Sequence, residues 1–297
     1  MAKKKTTPFL VNVNGLPTAP RLDTATLFNK SHTHASTSAI DTFHIKSNEL
    51  LTLVKDPSEL PSVLGNLLLL GIVSAVESYI REVLRKLVVS DAASSRCCER
   101  HLLTYGAAIN HQRDMLPESI LEGYSFASKT NIEEGLRNIL GYRGKLPDDV
   151  EAALDDFSLI CQMRHCMIHR YGHLGSNNAI QLGLDKHGEL FEKPLHIKFD
   201  ELQQIFLVCV NTVKSLNNFL FRFLVTRSAV ADGTWSGVYR KDKKFLVKYL
   251  AIFESKLQPP TPPIDTKTFW TALKSHVDSV NQSIPPRPEN GGDNNQQ

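Results

Sequence analysis

Between Pro61 and about Val89 the apolar residues Leu68, Ile72, Val76, Tyr79, Ile80, Val83 and Leu87 recur at three- and four-residue steps. That spacing predicts one long amphipathic helix. A second long helix is expected from Pro147-Asp148-Asp149, since proline and acidic residues suit a helix start, through Tyr171 to a stop at Gly172. Thr130-Asn-Ile-Glu133 has capping-box spacing and predicts a shorter helix reaching Leu140 and closed by Gly141. Asp200 is placed to cap a further long helix to about Ser228, apolar round most of its circumference and therefore central. One stretch departs from this period. Ile180, Leu182 and Leu184 alternate, Lys186-His187-Gly188 can turn, and Leu195, Ile197 and Phe199 alternate again, which predicts a short β-hairpin.

The fold expected is therefore an all-α bundle with a short β-hairpin insertion and a small helical C-terminal extension. Residues 1–40, rich in Thr, Ser, Pro and Asn with Lys3, Lys4 and Lys5 in a row, read as an irregular arm. Residues 41–228 carry the bundle, and 229–283 the extension, with Gln258-Pro-Pro-Thr-Pro-Pro263 as a stiff linker. Residues 284–297 have nothing to bury and are expected to be disordered. No internal repeat is visible.

Composition narrows this little: 41% apolar and 22% charged residues over 297 positions exclude wholesale disorder, and a net charge of +3 does not by itself announce a nucleic-acid binder. Cysteines at 97, 98, 161, 166 and 209 form no CxxC pair, so free thiols are expected. The basic start lacks an apolar stretch behind it, and the apolar runs Leu64–Val76 and Ile205–Val225 are respectively too short and interrupted by polar residues. A cytoplasmic protein that does not enter a membrane is the expectation.

The chemistry concentrates in Arg164-His165-Cys166-Met167-Ile168-His169-Arg170-Tyr171. Arg164 and His169 stand in an Arg-x4-His spacing that also occurs at Arg96 and His101. Context separates the two copies. Phe157, Ile160, Cys161, Met167 and Ile168 form the apolar stripe of the predicted helix, and Arg164 lies along its middle. A guanidinium so placed needs a carboxylate. Glu77, on the edge of the first long helix's apolar stripe, is the candidate, either pairing with Arg164 or orienting His169. The neighbours of Arg96 read as solvated.

With its His-x-Tyr extension, the later copy resembles the HEPN ribonuclease superfamily over about 41–228. The resemblance implies a HEPN-like bundle that dimerises with the motif helices facing each other in a composite site. It also implies metal-independent RNA cleavage through the 2′-hydroxyl, with no cofactor, as in bacterial toxin–antitoxin and phage-defence systems. His169 would then be the general base or acid, Arg164 would stabilise charge on the phosphoryl oxygens, and His165 would hydrogen-bond the phosphate or sit solvated. Tyr171 matches a tyrosine that a partner nucleotidyltransferase modifies in some HEPN toxins, although its helical position suggests a structural tyrosine. RNA, a second copy of the chain, and an antitoxin or sensor protein are the partners implied.

Three other readings stand beside this one. His165, His169 and His173 fall at four-residue steps and could share a metal, although the expected helix end at Gly172 separates the last from the others. A non-catalytic HEPN module that binds nucleotides or acts as scaffold is the alternative function. Lys241, Lys244 and Lys248, interleaved with Phe245 and Tyr249, suit phosphates and stacked bases, or are the solvated face of an amphipathic helix.

Overall fold

In the computed structural model, which describes residues 11–33, 36–231, 234–263 and 265–283, the apolar stripe beginning at Leu68 lies on a 29-residue helix. In chain order the helices are α1 (Ala39–Leu51), α2 (Ser62–Ser90), α3 (Ala92–Cys98), α4 (Tyr105–Asn110), α5 (Leu116–Leu121), α6 (Lys129–Leu140), α7 (Asp148–Arg170), α8 (Ser176–Leu182), α9 (Leu184–His187), α10 (Phe199–Val230), α11 (Tyr239–Phe253) and α12 (Thr266–Ser283). The described residues are mostly helical and contain no strand. The described residues up to Ser36 belong to a separate small unit, in which a 3-10 turn at Thr24–Leu27 is capped by Asp23 accepting from the Ala25 N–H. The segment 284–297 expected to be disordered, and Lys3 to Lys5, lie outside the described residues.

The core is built on α2, which packs against α1, α7 and α10 and against the shorter α3, α5 and α6. Leu69, Ile72, Val73, Val76, Val83, Leu84 and Leu87 are all at 0% exposure. Each such side chain stabilises by ~1.5–3 kcal/mol relative to an exposed one, so α2 contributes more burial than its length alone suggests. By length and composition α2 is also apolar enough to cross a membrane, but half of its most apolar window is buried against other helices.

The second layer sets the orientation that the site depends on. Glu77 in mid-α2 meets Arg164 near the end of α7. Asn66, about three turns before Glu77, donates to the Leu195 carbonyl, and the Leu195 N–H donates to the Gly172 carbonyl, just past the end of α7. The two helices therefore run antiparallel, with the last turns of α7 beside the first half of α2.

The predicted hairpin does not form. Residues 176–187 make the two short helices α8 and α9, parted by Gly183 at φ +97°. Alternation would have buried Ile180 and Leu184 together, yet both are exposed, while the adjacent pair Asn178 and Ala179 is buried, as helical geometry allows. The backbone pairing in this stretch lies elsewhere: residues 172–174 exchange backbone hydrogen bonds with 192–195, around a single bridge between His173 and Pro194. Two helix starts also shift. Ser128, not Thr130, caps α6 by accepting from the Asn131 N–H, and α10 begins at Phe199, where Glu201 accepts from the Lys198 N–H.

The C-terminal helices are pinned to the bundle by a buried polar knot. Asp91, between α2 and α3, accepts from the Ser94 N–H at 2.7 Å and from the Tyr249 hydroxyl of α11 at 2.8 Å, and it pairs with Arg227 of α10. Burial works to raise its pKa, but the bonds from Ser94 and Tyr249 and the charge of Arg227 outweigh it and hold the carboxyl below the usual range. Asp242 of α11 does the same for α12, accepting from the Trp270 indole N–H at 3.0 Å.

Candidate functional site

The last two turns of α7 carry the motif, and their geometry follows from the helix itself. At 100° per residue Arg164 and His169 lie about 140° apart round the axis, with Ile168 about 40° from the arginine and between them. Arg164 is 30% exposed at the rim of the core rather than inside it, and its Nη2 approaches Glu77 Oε1 at 3.1 Å. The N–H is not aligned as a hydrogen bond, so buried Oε1 has the guanidinium charge beside it but no hydrogen-bond donor. With side chains 30% and 15% exposed the pair is mostly shielded from water, and the exposed part of the guanidinium is what an incoming anion would meet.

His165 and His169, one helical turn apart, are both exposed, with ring centroids 4.4 Å apart and planes tilted by 49°. They line a cavity of about 470 Å³ between the end of α7 and α8, together with Gln162, Arg170, Asn178 and Gln181. Arg164 is not part of its lining, so one chain does not bring the motif's arginine and histidine into one pocket. Ile168, read from spacing as part of the apolar stripe, is instead 50% exposed, while Met167 beside it packs against the core.

Arg170 closes one side of the cavity. Its Nη2 lies 2.6 Å from both carboxylate oxygens of Glu192. A Cβ on Gly175 would stand 2.7 Å from Arg170 Nη1, so the guanidinium packs directly over this glycine and would have to shift for a larger residue. Among the described residues only Tyr171 (φ +52°) and Glu192 (φ +61°) are non-glycine residues in the left-handed region. One follows Arg170 and the other holds it. Strain of this kind persists where surrounding structure over-determines it, and it clusters at functional sites.

Tyr171 is not the structural tyrosine that helical projection suggested. The helix ends one residue earlier, with the Gly172 N–H reaching back to the Cys166 carbonyl, and Tyr171 turns outward to 79% exposure. Its left-handed backbone costs ~1–2 kcal/mol that glycine would not incur. Tyr171→Gly is therefore expected to raise stability by about 1 kcal/mol, read as a higher denaturant midpoint at unchanged slope; a lower midpoint would mean that the exposed ring makes a contact worth more than the strain.

The remaining candidates separate cleanly. Arg96 and His101 do not share a helix, since α3 ends at Cys98, and His101 Nε2 lies 3.3 Å from the Tyr124 hydroxyl. Ser94, read as solvated, is fully buried in the Asp91 knot. Tyr249 is buried and so not presented to a base, and it packs edge-on to the half-buried Phe245 at 5.1 Å. Lys241 and Lys244 are exposed on α11, while Lys248 reaches the Ser90 carbonyl. The cysteines are free, and burial, aided by the Glu77 carboxylate, pushes the Cys161 thiol up to about 12, so it is no thiolate nucleophile. Among the described residues no cluster of three or more His, Cys, Asp or Glu side chains has the geometry to hold a metal ion.

Spacing had indicated Arg164, His165, His169 and Glu77 but missed Gln162, Arg170, Asn178 and Glu192. Glu192 lies 22 residues from Arg170, and only the mispredicted α8–α9 segment brings it back. Comparison with protein-family models, with curated proteins and with solved structures yields no match to this chain.

Proposed function

We propose that this protein is a metal-independent endoribonuclease of the HEPN type, acting as a homodimer with a composite site. The observation that carries the reading is the exposed face at the end of α7, where Ile168 separates the Arg164–Glu77 pair on one side from the His165–His169 pair on the other. Two such faces packed about a two-fold axis through Ile168 bring the arginine of one subunit beside the histidines of its partner. Isologous contacts of this kind are the commonest route to a dimer.

In that site His169 takes the proton of a ribose 2′-hydroxyl or supplies one to the departing 5′-oxygen, and His165 is near enough to share these transfers. The 2′-oxygen bonds to phosphorus as the P–O5′ bond breaks, leaving a 2′,3′-cyclic phosphate and a 5′-hydroxyl. Arg164 stays charged throughout and offsets the negative charge that builds on the non-bridging oxygens. Glu77 is a positioning residue that aims the guanidinium before RNA arrives. Imidazole transfers protons near neutral pH without help from a metal.

The test is incubation of purified protein with single-stranded RNA in EDTA, with end-group analysis. Fragments ending in 2′,3′-cyclic phosphate are expected, at the same rate for wild type and for His101→Ala. Intact RNA, 3′-hydroxyl ends, or an inactive His101→Ala that remains folded would each overturn the assignment. The cavity beside His169 also favours a second reading, a non-catalytic module that binds a nucleotide, and intact RNA would leave that one standing.

A further inference from the structure

The cavity between α7 and α8 has a lining that phosphoryl chemistry alone does not require. Its volume of about 470 Å³ suits a small ligand, and much of its wall is carboxamide rather than charge. Asn178, 6% exposed, donates from Nδ2 to Gln162 Oε1 at 2.9 Å and towards the Gln162 carbonyl at 3.4 Å. Those bonds fix the roles of the remaining atoms. Asn178 Oδ1 is left as an acceptor and Gln162 Nε2 as a donor, on two hydrogen-bonded residues of the same lining.

We infer that this cavity seats the adenine base of a nucleotide, read by Gln162 and Asn178, with Arg170 holding the attached phosphate. One acceptor and one donor from joined carboxamides match the N6 amino group and N7 of adenine, the pairing by which carboxamides single out adenine along that edge. The exposed side chain of Ile180 and the ring of His165, both in the lining, offer surface against which a planar base can lie. Arg170 has only Nη2 engaged by Glu192, so its other nitrogens remain to meet a phosphate. Placing that base next to the bond cut at His169 rests on the ribonuclease reading; binding of the base does not. An RNA strand and a free adenine nucleotide present the same edge.

The experiment has two arms. In the first, AMP and UMP are titrated into the full-length protein and into Gln162→Glu. The carboxylate of the variant still accepts from Asn178 but no longer donates to N7. Wild type is expected to prefer AMP by about tenfold or more, the discrimination that a two-bond carboxamide contact provides, and the variant to lose that ratio. Because the added charge weakens both nucleotides alike, the ratio is the readout. In the second arm, wild type cuts an RNA of mixed sequence, and the cleaved bonds are expected to adjoin adenine. Preference for AMP with no RNA cut would keep the adenine site, assign it to a free nucleotide and sink the ribonuclease reading. RNA cut at no preferred base, with AMP and UMP bound alike, would overturn the adenine site and leave the ribonuclease standing. The wild-type ratio decides the matter even if Gln162→Glu fails to fold.

Discussion

His169→Ala is expected to lower RNA cleavage by ~10²–10⁴, the usual loss when one proton-transfer group is removed. Arg164→Ala should be comparably inactive, since charge on the phosphoryl oxygens would have no fixed cation to meet it. The two variants then make a sharper test together than apart. Their side chains point about 140° apart on α7 and only the histidine reaches the cavity, so the proposed site would take its arginine from a second chain. An Arg164→Ala subunit mixed with a His169→Ala subunit forms one site with both residues intact, and part of the lost cleavage should return. Ile168→Asp, which places a charge at the centre of the expected contact, should yield a folded, inactive monomer. Full activity in a particle of monomer mass would refute the shared site. Failed complementation in a proven dimer would instead place both residues of each site on one chain.

Asp91→Ala is expected to cost ~3–5 kcal/mol of stability, the usual loss when one partner of a buried ion pair is removed. The substitution leaves Arg227 largely buried with its carboxylate gone, and strips the Tyr249 hydroxyl and the Ser94 N–H of their acceptor. Denaturant unfolding measures the loss directly, and a change below ~1 kcal/mol would mean that water replaces the carboxylate. The same group predicts a pH dependence. Its folded pKa lies below the unfolded value, near 3.9, so its contribution is fully present above that value and disappears as pH falls through the folded one. Wild type should therefore lose stability on acidification below about pH 4 more steeply than Asp91→Ala.

These two residues were not equally visible in the sequence. His169 stands in a recognisable spacing on a helix whose start at Asp148 and stop before Gly172 could be read from proline, acids and glycine. Asp91 looked like an ordinary residue between two helices. Its importance comes from Arg227, Ser228 and Tyr249, more than 130 positions away, which no local pattern connects to it. Glu77 lies between these cases. The apolar stripe showed that a carboxylate sat at its edge, and the need of a half-buried guanidinium for an opposite charge suggested the pairing with Arg164 that the fold contains.

The sequence by itself determined the helices that carry a long apolar stripe. A period near 3.6 sustained over α2, α7 and α10 leaves few alternatives, because any other backbone would expose those side chains. It also determined which side chains share a face of α7, since helical spacing fixes their angles. The tertiary structure alone decided the segment from Gly175 to Leu195. There the apolar residues are too few to impose a period, and backbone pairing with the end of α7, the left-handed turns at Tyr171 and Glu192, and the bond from Asn178 to Gln162 set the path instead. That segment builds the cavity wall. Contacts between residues far apart in sequence cannot be read from local spacing, because the free energy that selects them exists only once α2, α7 and α10 have packed.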